Sequence, residues 1–242
     1  MTPPRQAKAR LNARELMIAL QQSSQYIAKR EETESRRIVA NARNMKELSA
    51  IVDQLQDAGY TVDSLDTLRR SGHRYGSAVP ILLKWLPKVS SPQVKESIVR
   101  TLSVPWAKSL AAGPLLLEFR KAPDSTNVSL KWAIANALAV VADNGVLEEV
   151  CELARDPKHG KSREMLAIAL GNIQSPRAVH VLVELLNDEQ TAGHALMSLG
   201  KLRVANSRSA IERFVNHPKS WVRREAKRAL SKLDGTRGKN QQ

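Results

Sequence analysis

Arg224, Arg228 and Lys232 follow one another at four-residue intervals near the end of the chain, with Arg223 and Lys227 between them. Positions i, i+4 and i+8 fall on one side of a helix. The three cations therefore form a row, and the chemistry open to such a row is multipoint, noncovalent anion binding, as along a phosphate backbone or an acidic protein. Val222, Ala226, Ala229, Leu230 and Leu233 supply an apolar stripe in the same segment. The same row is also what a solvated helix face presents. A second spacing sets an acid seven residues before a base: Asp124 before Lys131, and Asp156 before Arg163. Lys95 and Arg223 hold matching basic positions, preceded at the same distance by Lys88 and Asn216. Asp188 breaks the pattern, because Thr191-Ala192 follows it where a base would open the next helix. Acid and base at this recurrence fit a ladder of charge-assisted hydrogen bonds between neighbouring structural units. Lys95, Lys131 and Arg163 are at once candidates for that ladder and for contact with a partner.

Covalent and metal chemistry lack their residues. The five histidines, 73, 159, 180, 194 and 217, show no paired ligand spacing, and Cys151 is the single cysteine, so a zinc cluster and an intrachain disulfide are both excluded. His180 stands between apolar residues and is expected to pack. There is no glycine-rich phosphate loop and no nucleophile elbow. No cofactor, metal, small-molecule substrate or catalytic residue is expected. The tryptophans Trp85 and Trp132 are read as core anchors.

The elements that position these residues are helices. Aromatics make up 4% of the chain, and the apolar spacing favours helix over strand. Thr101-Leu102, Ala137-Leu138, Ala169-Leu170, Ser198-Leu199 and Ala229-Leu230 each close an apolar-periodic stretch, at separations of 36, 32, 29 and 31 residues. Self-similarity at that period predicts a solenoid of helix pairs. The pairs are placed at 76–88 with 93–103, 108–121 with 128–142, 145–155 with 162–173, 176–187 with 191–202, and 206–216 with 220–233. Proline stands in four of the five joints, where it stops the preceding helix. Ile98, Leu102, Ile134, Leu138, Leu166, Leu170, Leu196, Leu199, Ala226 and Leu230 are the expected continuous core, with Ala137, Ala169, Gly171 and Gly200 allowing close approach. Upstream, Leu48, Ile51, Val52 and Leu55 mark one helix face, ended by Gly59. Ser71-Gly72 suggests a boundary there: a basic N-terminal helical module over 1–72, with 1–10 disordered, the array over 73–233, and a polar tail over 234–242.

The segment Ala169-Leu170-Gly171-Asn172-Ile173-Gln174-Ser175-Pro176-Arg177-Ala178-Val179 resembles the junction between repeats in the HEAT-repeat family, specifically its short bacterial form. Ser198-Leu199-Gly200-Lys201-Leu202 repeats the ending, and Trp221-Val222-Arg223-Arg224-Glu225-Ala226 is similar to the opening of a second helix in that family. The resemblance covers residues 75–233 and is clearest after Asp143. It implies an all-α, right-handed α-solenoid of about five helix pairs that grips a macromolecular partner on its concave surface. It also brings to mind HEAT-like glycosylases and lyases, but no catalytic carboxylate of theirs maps onto this sequence.

The net charge of +14 is confined to the ends. Residues 1–46 carry ten bases and four acids, residues 203–242 eleven and three, and the remainder seventeen of each. This excess makes nucleic-acid binding through the basic ends the alternative to a protein partner. The polar amino terminus lacks the apolar core of a signal peptide, the longest apolar run is too short for a membrane span, and a cytoplasmic setting is expected.

Overall fold

Ser91 and Ser175 show why the helices start where they do. Each takes an extended backbone, and its hydroxyl accepts an amide of the first turn, from Val94 at 3.3 Å and from Arg177 at 3.2 Å. A proline follows each serine at the first helical position, where its missing N–H is no loss. The computed structural model describes residues 12–14, 17, 23–123 and 129–237. They are helical with no strand among them. The expected disordered arm over 1–10 lies outside the described residues.

The chain forms two compact units, 1–46 and 47–242. Helix α1 (Ser24–Asp57) begins in the first and ends in the second. The first unit's part of α1 is almost wholly solvated, with Arg36–Glu32 and Arg37–Glu34 pairs at 2.5 and 2.8 Å along its surface. The second unit continues through α2 (Leu65–Arg70), α3 (Ala78–Trp85), α4 (Pro92–Leu102), α5 (Lys108–Lys121), α6 (Ser129–Val141), α7 (Leu147–Arg155), α8 (Ser162–Leu170), α9 (Pro176–Leu185), α10 (Ala192–Leu202), α11 (Arg208–Glu212) and α12 (Ser220–Arg237). From α3 onward these alternate as first and second helices of five pairs. The second helices α4, α6, α8, α10 and α12 pack in succession to form one layer.

The boundary expected at Ser71-Gly72 is corrected. Ile51, Leu55, Leu65 and Leu68 belong to the same buried core as the array. Polar bonds hold the segment there too: Trp85 Nε1 donates to Gln54 Oε1 at 2.7 Å, the Ser90 amide and hydroxyl donate to Glu47 at 3.0 and 2.7 Å, and Arg69 Nη1 donates to Thr101 Oγ1 at 3.0 Å. Gly72 does take a positive φ of 71°, but the exposed turn it makes connects two parts of one core rather than two cores. At the other end α12 continues to Arg237, into the region expected to be a polar tail. The first helix of the last pair is short. After Glu212 the bonds Phe214 N–Ile211 O and Val215 N–Glu212 O tighten to an i→i+3 pattern before Pro218, which blocks continuation.

Every expected core residue is buried except Leu230, which is partly buried against the core. The glycines set how close the second helices come. A Cβ on Gly171 would lie 2.5 Å from Ser198 Oγ, one on Gly193 1.9 Å from the Trp221 ring, and one on Gly200 2.8 Å from the Ala229 Cα. The α8–α10 and α10–α12 seams therefore bring backbone nearly onto side chain, as only glycine permits.

Candidate partner-binding surface

The bases that open the second helices do not reach solvent together. Lys131 and Arg163 are 8% and 4% exposed, and each turns back over the preceding helix end. Lys131 Nζ donates to the Ala122 carbonyl at 3.1 Å and lies 4.8 Å from the centre of the Phe119 ring. Arg163 Nε donates to the Ala154 carbonyl at 2.8 Å, so the same nine-residue geometry recurs in consecutive pairs. Such a base satisfies a carbonyl left open where the first helix ends. Arg223 does the same from α12, donating to the carbonyls of His217 and Pro218 at 2.8 Å each.

The bases pair forward, with an acid of the next repeat. Arg163 Nη1 meets Asp188 Oδ2 at 2.5 Å, and Lys95 Nζ meets Glu118 Oε2. Asp188, the acid with no base of its own, thus takes the base of the pair before it. Asp156 accepts the Lys158 amide at 3.1 Å and pairs with Lys158 Nζ at 2.7 Å; its expected ladder with Arg163 is not made. Asp124 lies outside the described residues. Lys131 and Arg163 are buried and Lys95 is partly buried, and each is bonded within the fold, as a cation withdrawn from water must be.

Glu118 is 4% exposed, with Lys95 on one oxygen and Lys121 at 2.9 Å on the other. Burial alone would raise its carboxyl, but the bonds from Lys95 and then Lys121 outweigh burial and hold it below the ordinary glutamate value of 4.5. A depressed folded value means that this stabilisation is complete above the unfolded value and is lost as pH falls through the folded one. Denaturant midpoints measured from about pH 6 down to about pH 3 should show an acid limb that flattens in Glu118→Gln. A limb equally steep in the variant would remove Glu118 as its source.

Cys151 is buried, and burial followed by Glu148 pushes its thiol up, away from reactivity. His180, expected to pack, instead lies 65% exposed on the outer side of α9, 2.9 Å from Glu184 at i+4. Its apolar sequence neighbours point elsewhere because the helix turns 100° per residue.

Arg224, Lys227 and Arg228 are exposed on α12. Arg228 Nη1 lies 2.8 Å and Arg224 Nε 3.6 Å from Glu225, whose side chain is 12% exposed. The row expected over Arg224, Arg228 and Lys232 divides around Glu225. Arg223, Arg224, Lys227 and Arg228 line a shallow depression of about 410 Å3 with Ser220 and Ser231. Arg228 and Lys232 also face α10, across a groove of about 630 Å3 completed by Ile168, Met197, Ser198, Lys201, Glu225 and Ser231.

Met197, Ser198, Lys201 and Ile168 are functional candidates that sequence reasoning missed. Their signal is the repeat itself. Two residues before the closing leucines stand Arg100, Asn136, Ile168, Met197 and Arg228; two after them stand Val104, Val140, Asn172, Lys201 and Lys232. These columns run along the second-helix layer. Polar side chains link the second column: Asn172 Nδ2 donates to the Ala139 carbonyl and Lys201 Nζ to Asn172 Oδ1. Basic residues occupy both columns only on α12.

Among the described residues no helix is long and apolar enough to cross a membrane, and no cluster of three or more His, Cys, Asp or Glu is placed to hold a metal ion. No curated protein matches the chain. Residues 121–193, from the last turn of α5 through α9 into α10, match the family model described as HEAT repeats. That stretch is thus similar to HEAT repeats, and helix pairs recur on either side of it.

Proposed function

We propose that this protein is a noncatalytic scaffold that holds a protein partner on the surface of its second helices. HEAT repeats generally act as scaffolds for protein interaction, and a stacked array offers one continuous surface for many weak contacts. The observation that carries the reading is the groove at the α8–α10–α12 end of that surface, where an apolar floor lies among bases. Holding a partner by shape and charge involves no covalent step. The competing reading, nucleic-acid binding, draws on the exposed Arg224, Lys227 and Arg228 of α12.

Affinity capture with the wild-type chain and with Arg224→Glu/Arg228→Glu/Lys232→Glu, each with and without nuclease, separates the two. A protein partner that survives nuclease and is lost by the triple variant supports the scaffold. Material lost on nuclease treatment, with retention falling steeply as salt rises, supports nucleic acid. A partner held equally by both chains would move the binding surface away from α12.

A further inference from the structure

We infer that the groove between α8, α10 and α12 takes an acidic peptide segment carrying one large apolar residue. The inference rests on the scaffold reading and names the partner's chemistry. Met197 is 42% exposed at the centre of α10, although its sequence neighbours Leu196 and Ser198 are buried. It stands beside the half-buried Ile168 of α8, so an apolar floor lies open on a layer whose other apolar residues are largely packed away. A side chain of leucine or methionine size placed there removes apolar surface from water on both partners.

The rim selects the charge. Lys201, Arg228 and Lys232 set three bases around that floor against one acid, Glu225, a net of +2. Glu225 holds Arg228 at 2.8 Å rather than leaving it to move freely, and a guanidinium fixed on one side still has donors for a second carboxylate. Lys201 and Lys232 occupy the same column of consecutive repeats, so their charges recur at the spacing of adjacent helices. Carboxylates spaced along a partner segment can meet them in turn. Ser198 and Ser231 line the same groove, but the Ser198 hydroxyl is already donated to the Ala167 carbonyl at 2.8 Å, which leaves it as an acceptor.

A nucleic-acid strand fits this groove less well. Stacking needs an exposed aromatic face, and the lining has none. Glu225 would also stand against the phosphates. An acidic segment with an apolar anchor uses the floor and the rim together.

The test uses the full chain and a fluorescein-labelled, glutamate-rich peptide with a single central leucine. Its companions are the same peptide with alanine at that position and a single-stranded DNA of equal charge, all measured by anisotropy. The leucine peptide should bind, and its alanine form should bind about thirtyfold more weakly. Met197→Ala should weaken the leucine peptide and leave the alanine form's weak binding little changed, while Arg228→Glu/Lys232→Glu should remove both. These residues are exposed, so thermal unfolding should be unchanged and serves as the folding control. Equal binding of both peptides and the DNA would overturn the inference, because charge alone would then explain it. A nuclease-resistant partner captured undiminished by Met197→Ala and by Arg228→Glu/Lys232→Glu would sink the groove and leave the scaffold reading standing; absence of any captured protein would sink that reading itself.

Discussion

Asp188→Ala is expected to lower stability by about 3 kcal/mol, and Arg163→Met by only about 1 kcal/mol, although both break the same ion pair. The difference follows from burial. Arg163 has a side chain 5% exposed, whereas that of Asp188 is 35% exposed. Removing the acid strands a guanidinium inside the fold, with only the Ala154 carbonyl left to it. It also removes Oδ1, which accepts the Gln190 amide at 2.9 Å. Removing the base leaves a carboxylate that water can reach, and methionine fills much of the volume that the arginine stem occupied. Partial burial alone would raise the Asp188 carboxyl, but the Gln190 amide and then Arg163 outweigh it and hold it below its ordinary value. Equilibrium denaturation of both single variants and of the double variant checks the order. The double variant should be more stable than the summed losses predict, since it leaves no stranded charge. Equal losses for the two single variants would show that the pair behaves as a surface contact.

Gly200→Ala is expected to destabilise by about 1–2 kcal/mol, against the direction that helix preference gives. In a helix interior alanine is favoured over glycine by about 1 kcal/mol, so a freely spaced helix would gain. Here the new Cβ would lie 2.8 Å from both the Cα and the Cβ of Ala229, and neither atom can swing aside. The α10–α12 seam must open, which disturbs the packing of Leu199 and Ala226 behind it. Gly235→Ala on α12 is the control: nothing lies within 4 Å of its Cβ position, so it should stabilise slightly. Because a repeat array is held by nearest-neighbour interfaces, the loss should concentrate in α12, with faster amide exchange there than in α4. Stabilisation by Gly200→Ala would falsify the close approach of the two helices.

The sequence by itself determined the helix pairs. Closing leucines at a period of about thirty residues, with proline and serine at the joints, locate α3 to α10 to within a few residues, because both signals are local. It determined most of the core as well, since a period of 3.6 assigns a face before any neighbour is known. It did not determine which bases would be buried. Lys95, Lys131, Arg163, Arg224, Arg228 and Lys232 look alike as letters. The first three carry the recurrent position that opens a second helix, and there an open carbonyl, the next repeat's acid, or both draw them inward.

Tertiary structure alone decided the partners at a distance. Arg163 meets Asp188 rather than Asp156, because stacking brings the next loop nearer than the chain's own. Residues 47–70 join the array's core because Leu55, Leu65 and Leu68 have no other apolar surface to cover them, whatever Ser71-Gly72 does to the local chain. The groove likewise exists only once α8, α10 and α12 are stacked. Ile168, Met197, Lys201, Arg228 and Lys232 span sixty-odd residues of sequence and come together because they hold two recurring places, two residues before and two after the closing leucine of each repeat.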